Sequence, residues 1–299
     1  MTLSIDTDLV TIDKIQLFAD QQVETNMLRL DKIHPQISGN KWFKLKYYLE
    51  QAFLENRSGL ISFGGPWSNH LLAVAAAARE AGLKSIGIIR GEAPAQPSET
   101  LEELRSLGME LDFVSRTAYR NRAQLVTDLN TSYPDYLVVD AGGQGPTGAK
   151  GAAEILSYVP DLHSYTHILC AVGTGTMLAG LALAAGKEQQ VIGICSLKEK
   201  EEQTALILQW FPSLENRFEI NTAFHFGGFA RHTTELTDFM NLFYHRTGIP
   251  TDIVYTAKLC YAWKQLYVNN FFQPGSRVLI IHSGGLQGNR SLAPGILTF

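Results

Sequence analysis

Short apolar runs that end in glycine alternate along this chain with longer stretches whose apolar residues recur at helical spacing. Leu60–Phe63 is such a run, closed by Gly64-Gly65, and the Ala-rich stretch Asn69–Ala81 after it reads as a helix ending at Gly82. Ser85–Ile89 reads as a strand. Ser98–Leu107 reads as a helix with Ser98 as its N-cap and Gly108 as its stop. Leu111–Val114 and Tyr136–Val139 are further strands, separated by the helical pattern Asn121–Leu129. The rhythm returns after Gly148: Ala149–Tyr158 helical, His167–Val172 a buried-type strand, Thr176–Ala185 a helix and Val191–Ile194 a strand. Thr233–Arg246 and Tyr255–Val268 are long helical patterns, and Arg277–Ile281 is a final strand. Strand and helix in alternation predict parallel sheets covered by helices, an α/β fold.

At 299 residues the chain exceeds the usual single-domain length, which predicts two lobes. The phosphate loop and the lysine discussed below must meet, so the first 51 residues are expected to pack with residues 149–299. Residues 52–148 are then a smaller inserted lobe. An apolar content of 45% with 18% charged residues is ordinary for a globular protein. A formal charge of −4 with no Lys/Arg run argues against nucleic acid as a partner. No window nears the length of apolar chain that spans a membrane, and Met1–Asp20 lacks the basic start and apolar stretch of a secretory leader. Cys170, Cys195 and Cys260 are odd in number and widely spaced, which points to reduced thiols and a cytoplasmic setting.

Candidate chemistry gathers where strands end. Gly173-Thr174-Gly175-Thr176 runs from an apolar strand into a helix; its glycines admit an anion to the backbone, and its hydroxyls add donors. The same residues also fit a plain tight turn. The next glycine is Gly180, so the dinucleotide spacing fails, and Lys150 is not placed for a triphosphate loop. Ser38-Gly-Asn-Lys41 opens the helical stretch Trp42–Phe53. A lysine at a helix start beside aromatic rings favours the neutral amine that imine formation needs, although Lys41, Lys44 and Lys46 also fit a solvated face. Ser68 and Asn69, in Gly64-Gly-Pro-Trp-Ser-Asn-His70, suit a carboxylate or simply cap the next helix. Gly142-Gly143-Gln144-Gly145 and Ser283-Gly284-Gly285 also follow strands, where binding crevices of open parallel sheets lie. His163, His167, His225, His232 and His245 read as structural, and no metal site is expected.

Taken together, Ser38-Gly-Asn-Lys-Trp-Phe-Lys-Leu-Lys, Phe63-Gly-Gly-Pro-Trp-Ser-Asn-His, Val172-Gly-Thr-Gly-Thr, Asp252-Ile-Val-Tyr-Thr-Ala-Lys and His282-Ser-Gly-Gly resemble, in order, the aminocyclopropane-carboxylate deaminase and D-cysteine desulfhydrase family. That family lies in the tryptophan-synthase-β-like class, fold type II, of enzymes dependent on pyridoxal phosphate (PLP). The resemblance implies two open, mostly parallel sheets flanked by helices, PLP as cofactor and a homodimer. It makes Lys41 the PLP-carrying lysine and likens Asn69 to the residue bonding the cofactor's ring oxygen. It lays Gly173, Thr174, Gly175 and Thr176 on the phosphate loop. Ser68 and Tyr255 fall in the substrate pocket, and Thr256 falls at the partner of the pyridine nitrogen. A carboxylate at that last position would hold the ring nitrogen protonated, whereas a threonine shares only a hydrogen bond and looks more like the desulfhydrase branch. Phe229 stands where relatives often carry a tyrosine.

The implied reaction is breakdown of a small amino acid, with Lys41 as carrier and then general base. For D-cysteine, β-elimination yields pyruvate, ammonia and sulfide. For 1-aminocyclopropane-1-carboxylate, which has no α-hydrogen, ring opening to 2-oxobutyrate and ammonia calls on Ser68 or Tyr255 as nucleophile, or on a base. Rival readings are a serine/threonine dehydratase or sulfhydrylase of the same class, and a PLP- or amino-acid-binding protein without turnover.

Overall fold

In a computed structural model the described residues are 3–18 and 22–299, so part of the stretch Met1–Asp20 lies outside them. The chain opens with β1 (Thr11–Lys14) and β2 (Glu24–Arg29), then α1 (Asn40–Leu54). Next come β3 (Gly59–Gly64), α2 (Asn69–Glu80), β4 (Lys84–Arg90), α3 (Glu99–Ser106) and β5 (Met109–Val114). Helices α4 (Arg116–Arg120) and α5 (Arg122–Ser132) lead to β6 (Tyr136–Val139), α6 (Pro146–Ala153), β7 (His167–Val172) and α7 (Thr176–Ala184). The last part holds β8 (Gln190–Cys195), α8 (Glu201–Trp210), β9 (Phe218–Asn221), α9 (Thr234–Thr247), α10 (Thr256–Val268) and β10 (Arg277–His282). The pattern readings hold with shifted edges in most places. The helix read over Asn121–Leu129 is α5, and the short α4 before it was not predicted; Ala149–Tyr158 leaves α-geometry after Ala153 for a 3-10 turn. Strands β1, β2 and β9 and helix α8 were not predicted from the pattern.

Two sheets result. One has the order β1-β2-β10-β7-β8-β9 and is parallel except for β1; the other has the order β5-β4-β3-β6 and is parallel throughout. Each sheet carries an apolar core on both faces. Leu28, Leu178, Val191 and Leu279 mark one face of the larger sheet, and Met27, Ile192, Phe243 and Trp263 the other. On the smaller sheet Leu60, Leu72, Ile89 and Leu101 oppose Ile61, Phe63, Ile86 and Ile88.

The topology aims two sets of loops at one region. The order of strand addition reverses between β3 and β6 in the smaller sheet and between β7 and β10 in the larger. At such switch points adjacent loops diverge and leave a crevice beyond the carboxyl ends of the strands. The four glycine-bearing loops singled out above leave these four strands.

Helices α1, α6 and α7 pack backbone to backbone and bind the two parts together. A Cβ on Gly151 would lie 1.8 Å from the Phe43 carbonyl oxygen, and one on Gly180 would lie 2.5 Å from the Ala149 oxygen. Only glycine permits such approach. It brings the amino ends of α1 and α7, with Lys41 and the Gly173–Thr176 loop, to one crevice.

Candidate functional site

Lys41 is the second residue of α1, after Gly39 at φ 62°. A Cβ on Gly39 would lie 2.0 Å from the Ser283 carbonyl oxygen, and the Asn40 N–H donates to that same oxygen at 3.2 Å. The start of α1 is thus pinned to the loop after β10. Lys41 Nζ donates to Asn40 Oδ1 at 2.8 Å. Burial lowers its pKa to about 8, with the Asp252 carboxylate pulling the other way.

Lys44, one turn further along α1, is 5% exposed and therefore not part of a solvated face. Burial and the neighbouring Lys41 lower its amine to about 7. Lys46 is half-buried and ion-pairs with Glu154. A Cβ on Gly143 would lie 3.0 Å from Lys44 Cβ and 3.7 Å from His70 Cε1, which brings the loop after β6 against both side chains.

His70 escaped the sequence reading. Ser62 Oγ donates to the Val139 carbonyl at 2.7 Å and lies 2.9 Å from His70 Nε2. The hydroxyl has one proton, so with that bond made Nε2 is the donor and Nδ1 is bare. His70 Nδ1 is buried without a hydrogen-bond partner. Burial, with Lys41 and Lys44 facing it, holds the imidazole neutral well below its ordinary pKa.

Across the crevice the Gly173–Thr176 loop enters α7, with Gly175 at φ 81° as its N-cap. A Cβ there would lie 3.1 Å from Ile207 Cδ1, so glycine answers both the left-handed backbone and the tight contact. Thr174 and Thr176 share a hydrogen bond of 3.0 Å between hydroxyls. Thr174 also packs over Gly142, where a Cβ would lie 3.0 Å from its methyl. Ser68 is the N-cap of α2, accepting the Leu71 N–H at 3.1 Å. Asn69 Nδ2 donates to the Gly285 carbonyl at 3.0 Å and joins α2 to the loop after β10.

Asp252 supplies the far wall. It is buried, and its carboxylate accepts the N–H groups of Val254, Tyr255 and Thr256 together with the Thr256 hydroxyl. Burial still pushes its carboxyl above the ordinary range, against those four donors. Tyr255 lies against Gly173, where a Cβ would be 3.1 Å from its hydroxyl. Burial and Asp252 raise the phenol pKa strongly. Phe229 rests edge-on against Tyr255, ring centroids 6.0 Å apart.

The predicted residues therefore line connected loops of one crevice. Lys44, His70 and Asp252 join them without having been assigned roles. For Lys44 the i, i+3 spacing from Lys41 on one helix face was the available signal. Among the described residues no cluster of three potential metal ligands occurs, and no helix is long and apolar enough to cross a membrane.

The chain belongs to the family of pyridoxal-phosphate-dependent enzymes, whose sequence profile matches residues 4–284. Within it, relatives of this chain are named for 1-aminocyclopropane-1-carboxylate deaminase and D-cysteine desulfhydrase. The chain is 24% identical over 283 residues to a Pyrococcus furiosus protein provisionally named 1-aminocyclopropane-1-carboxylate deaminase, covering 88% of this chain and 85% of that one. It is 27% identical over 281 residues to a mitochondrial bifunctional D-cysteine desulfhydrase/1-aminocyclopropane-1-carboxylate deaminase of Arabidopsis thaliana, covering 85% and 70%. A crystal structure of a deaminase homologue superposes with a TM-score of 0.81 at 23% identity, over 94% of this chain and 90% of that one, and shows the shared fold.

The crevice suits such a cofactor. Lys41 offers an amine shifted toward its neutral form. The amino end of α7, the threonine hydroxyls and the Lys44 cation could seat a phosphate. Asn69 keeps a second N–H for a ring oxygen, and Thr256 lies beside the buried Asp252 carboxylate.

Proposed function

We propose that this enzyme carries out β-elimination on a small amino acid, with D-cysteine the leading substrate. With one water consumed, D-cysteine gives pyruvate, ammonium and hydrogen sulfide. The carrying observation is Lys41: a lysine amine lowered to about 8 stands where loops from two sheet switch points converge. Bound PLP supplies the electron withdrawal that acidifies the substrate's α-carbon. Lys41 Nζ holds the cofactor and then takes the α-proton. The Gly173–Thr176 loop and Lys44 hold the phosphate, and Asn69 donates to the ring oxygen. Ser68, whose oxygen already accepts the Leu71 N–H, turns its hydroxyl proton to the substrate carboxylate. Tyr255 stays protonated and orders the pocket as a donor.

D-cysteine is favoured over the cyclopropane because the partner offered to the pyridine nitrogen, Thr256, is uncharged, and because Phe229 brings no hydroxyl to the pocket. The bifunctional Arabidopsis relative keeps the cyclopropane as the second substrate to test. The buried thiols Cys170, Cys195 and Cys260 support a cytoplasmic, reducing setting. The family resemblance supports a homodimer whose smaller lobe is residues 52–148.

The test is a product assay on the PLP-loaded enzyme with D-cysteine, L-cysteine and the cyclopropane. Pyruvate and sulfide from D-cysteine alone are expected. 2-Oxobutyrate as the main product would move the assignment to the deaminase, and turnover of L-cysteine alone would overturn the stereochemistry. In Lys41→Ala, turnover should be abolished and the visible band of the lysine imine lost; full activity there would sink the role of Lys41.

A further inference from the structure

Lys258 closes the Asp252–Lys258 segment, and nothing in the reaction above uses it. It is 1% exposed. Its Nζ donates to the carbonyls of His225 and Gly228, each at 2.9 Å. Those carbonyls belong to the loop between β9 and α9 that carries Phe229.

We propose that Lys258 is a positioning residue, clamping this loop so that Phe229 stands against Tyr255 and forms one wall of the substrate pocket. The inference rests on the reading of Tyr255 as a pocket residue. Among the described residues the loop's other hydrogen bonds are local: Ala223 N–H to Asn221 Oδ1 at 2.9 Å, Gly227 N–H to His225 Nδ1 at 2.8 Å, Gly228 N–H to the His225 oxygen at 3.0 Å and Arg231 N–H to the Gly228 oxygen at 3.1 Å. They shape the turn and do not tie it to the body of the protein. On its near side Phe224 and Phe226 pack on Tyr261. On its far side Phe229 is 55% exposed and touches Tyr255 by one edge. The clamp falls between a packed half and a loose half.

The backbone gives a reason for a clamp. Phe226 at φ 51° and Ala230 at φ 55° hold left-handed conformations that side chains disfavour, and such geometry persists where surrounding contacts impose it. An ammonium carries three donors on a reach of four methylenes, so it can bond two carbonyls at once. Burial lowers the amine to about 8 while Asp252 pulls the other way, so at neutral pH it carries its charge into both bonds.

The test compares the PLP-loaded wild-type enzyme with Lys258→Met under limited trypsin digestion without substrate, mapping cleavage after the exposed Arg231. Loss of two charge-assisted hydrogen bonds should speed that cut about tenfold or more, while other cleavage sites keep their rates. The visible spectrum should be unchanged. With the substrate identified by the product assay, KM should rise about tenfold and kcat should stay within about threefold. Phe229→Ala, which keeps the clamp and loses the ring, should raise KM without speeding the cut after Arg231. Should Lys258→Met fail to fold, Lys258→Gln takes its place with the same directions expected. An unchanged cut after Arg231, or equal acceleration at every site, overturns the clamp. Because cleavage needs no turnover, a wild-type enzyme inert toward all three amino acids would overturn the proposed reaction and leave the clamp standing or falling on its own result.

Discussion

The hydroxyl of Thr256 is held by two atoms of Asp252: it donates to Oδ1 at 2.8 Å and accepts the Asp252 N–H at 2.7 Å. Its single proton is thereby committed. Toward a pyridine nitrogen the oxygen has only a lone pair left, so it can accept a proton's hydrogen bond but cannot give one. The buried carboxylate behind it makes that oxygen a better acceptor than an isolated threonine. Thr256 is thus a weaker stand-in for an acid, with the charge placed behind it on Asp252, four residues earlier.

Thr256→Val should keep the cofactor bound while slowing turnover about tenfold, the worth of roughly one hydrogen bond. Asp252→Ala should act on stability instead. It strips the acceptor from three buried N–H groups at the start of α10, and an unfolding midpoint in urea should report a loss of roughly 3 kcal/mol or more. An Asp252→Ala protein as stable as the wild type would mean that those groups find water.

Lys44 gives a prediction with a definite sign. Its folded pKa of about 7 lies below the ordinary lysine value of 10.5, so between these pH values the unfolded chain holds a proton that the folded chain has released. Stability of the cofactor-free protein should therefore rise with pH across that window. Lys44→Met should flatten this rise and stabilise the cofactor-free form at neutral pH. The same change should weaken PLP binding by removing the phosphate's cation. Thermal unfolding against pH, with and without cofactor, checks both halves; equal PLP affinity in the variant would take Lys44 off the phosphate.

Ser68 combines a structural duty with a chemical one, and two substitutions separate them. Ser68→Ala loses the cap on α2 and should cost about 1 kcal/mol of stability. Ser68→Asn keeps a good cap and loses the hydroxyl. Both variants should raise KM if the hydroxyl meets the substrate carboxylate. Wild-type kinetics in Ser68→Asn would reduce Ser68 to a cap.

The parts of this site that could be read in the sequence are those where one residue type answers a backbone demand. The glycines after β6, β7 and β10 mark the loops because a positive φ or a close neighbour disfavours a side chain there. Ser98 and Ser68 announce helix starts by the same local logic, and both make the expected caps. What escaped depends on partners distant in sequence. β1 is a short polar Thr-Ile-Asp-Lys that becomes a strand only by pairing with β2, and β9 is held on β8 in the same way. α8 begins at Glu201 with no side-chain cap, so no local signal marked it. Lys44 is covered by the loop after β6, which closes on it at Gly143. His70 is oriented by Ser62 on β3, eight residues earlier, a strand-to-helix contact that helical spacing does not reveal.

Tyr255 is the group whose assignment most changes the chemistry, because as a phenolate it could open a cyclopropane ring. Burial and the Asp252 carboxylate both oppose that charge and keep the phenol protonated through the neutral range. It is therefore expected to donate a hydrogen bond and never to titrate during turnover. Tyr255→Phe should lower kcat/KM about tenfold, as loss of one buried hydrogen bond does, and should leave the shape of the pH profile unaltered. A fall at alkaline pH needs an essential group that loses its proton there, and Lys41, a base near 8, contributes a rise with pH instead. Measuring kcat/KM from pH 6 to about 10 in both proteins decides the matter. If the wild type shows such a fall and it disappears in Tyr255→Phe, the phenol does titrate at the site, and a nucleophilic role in ring opening returns with it.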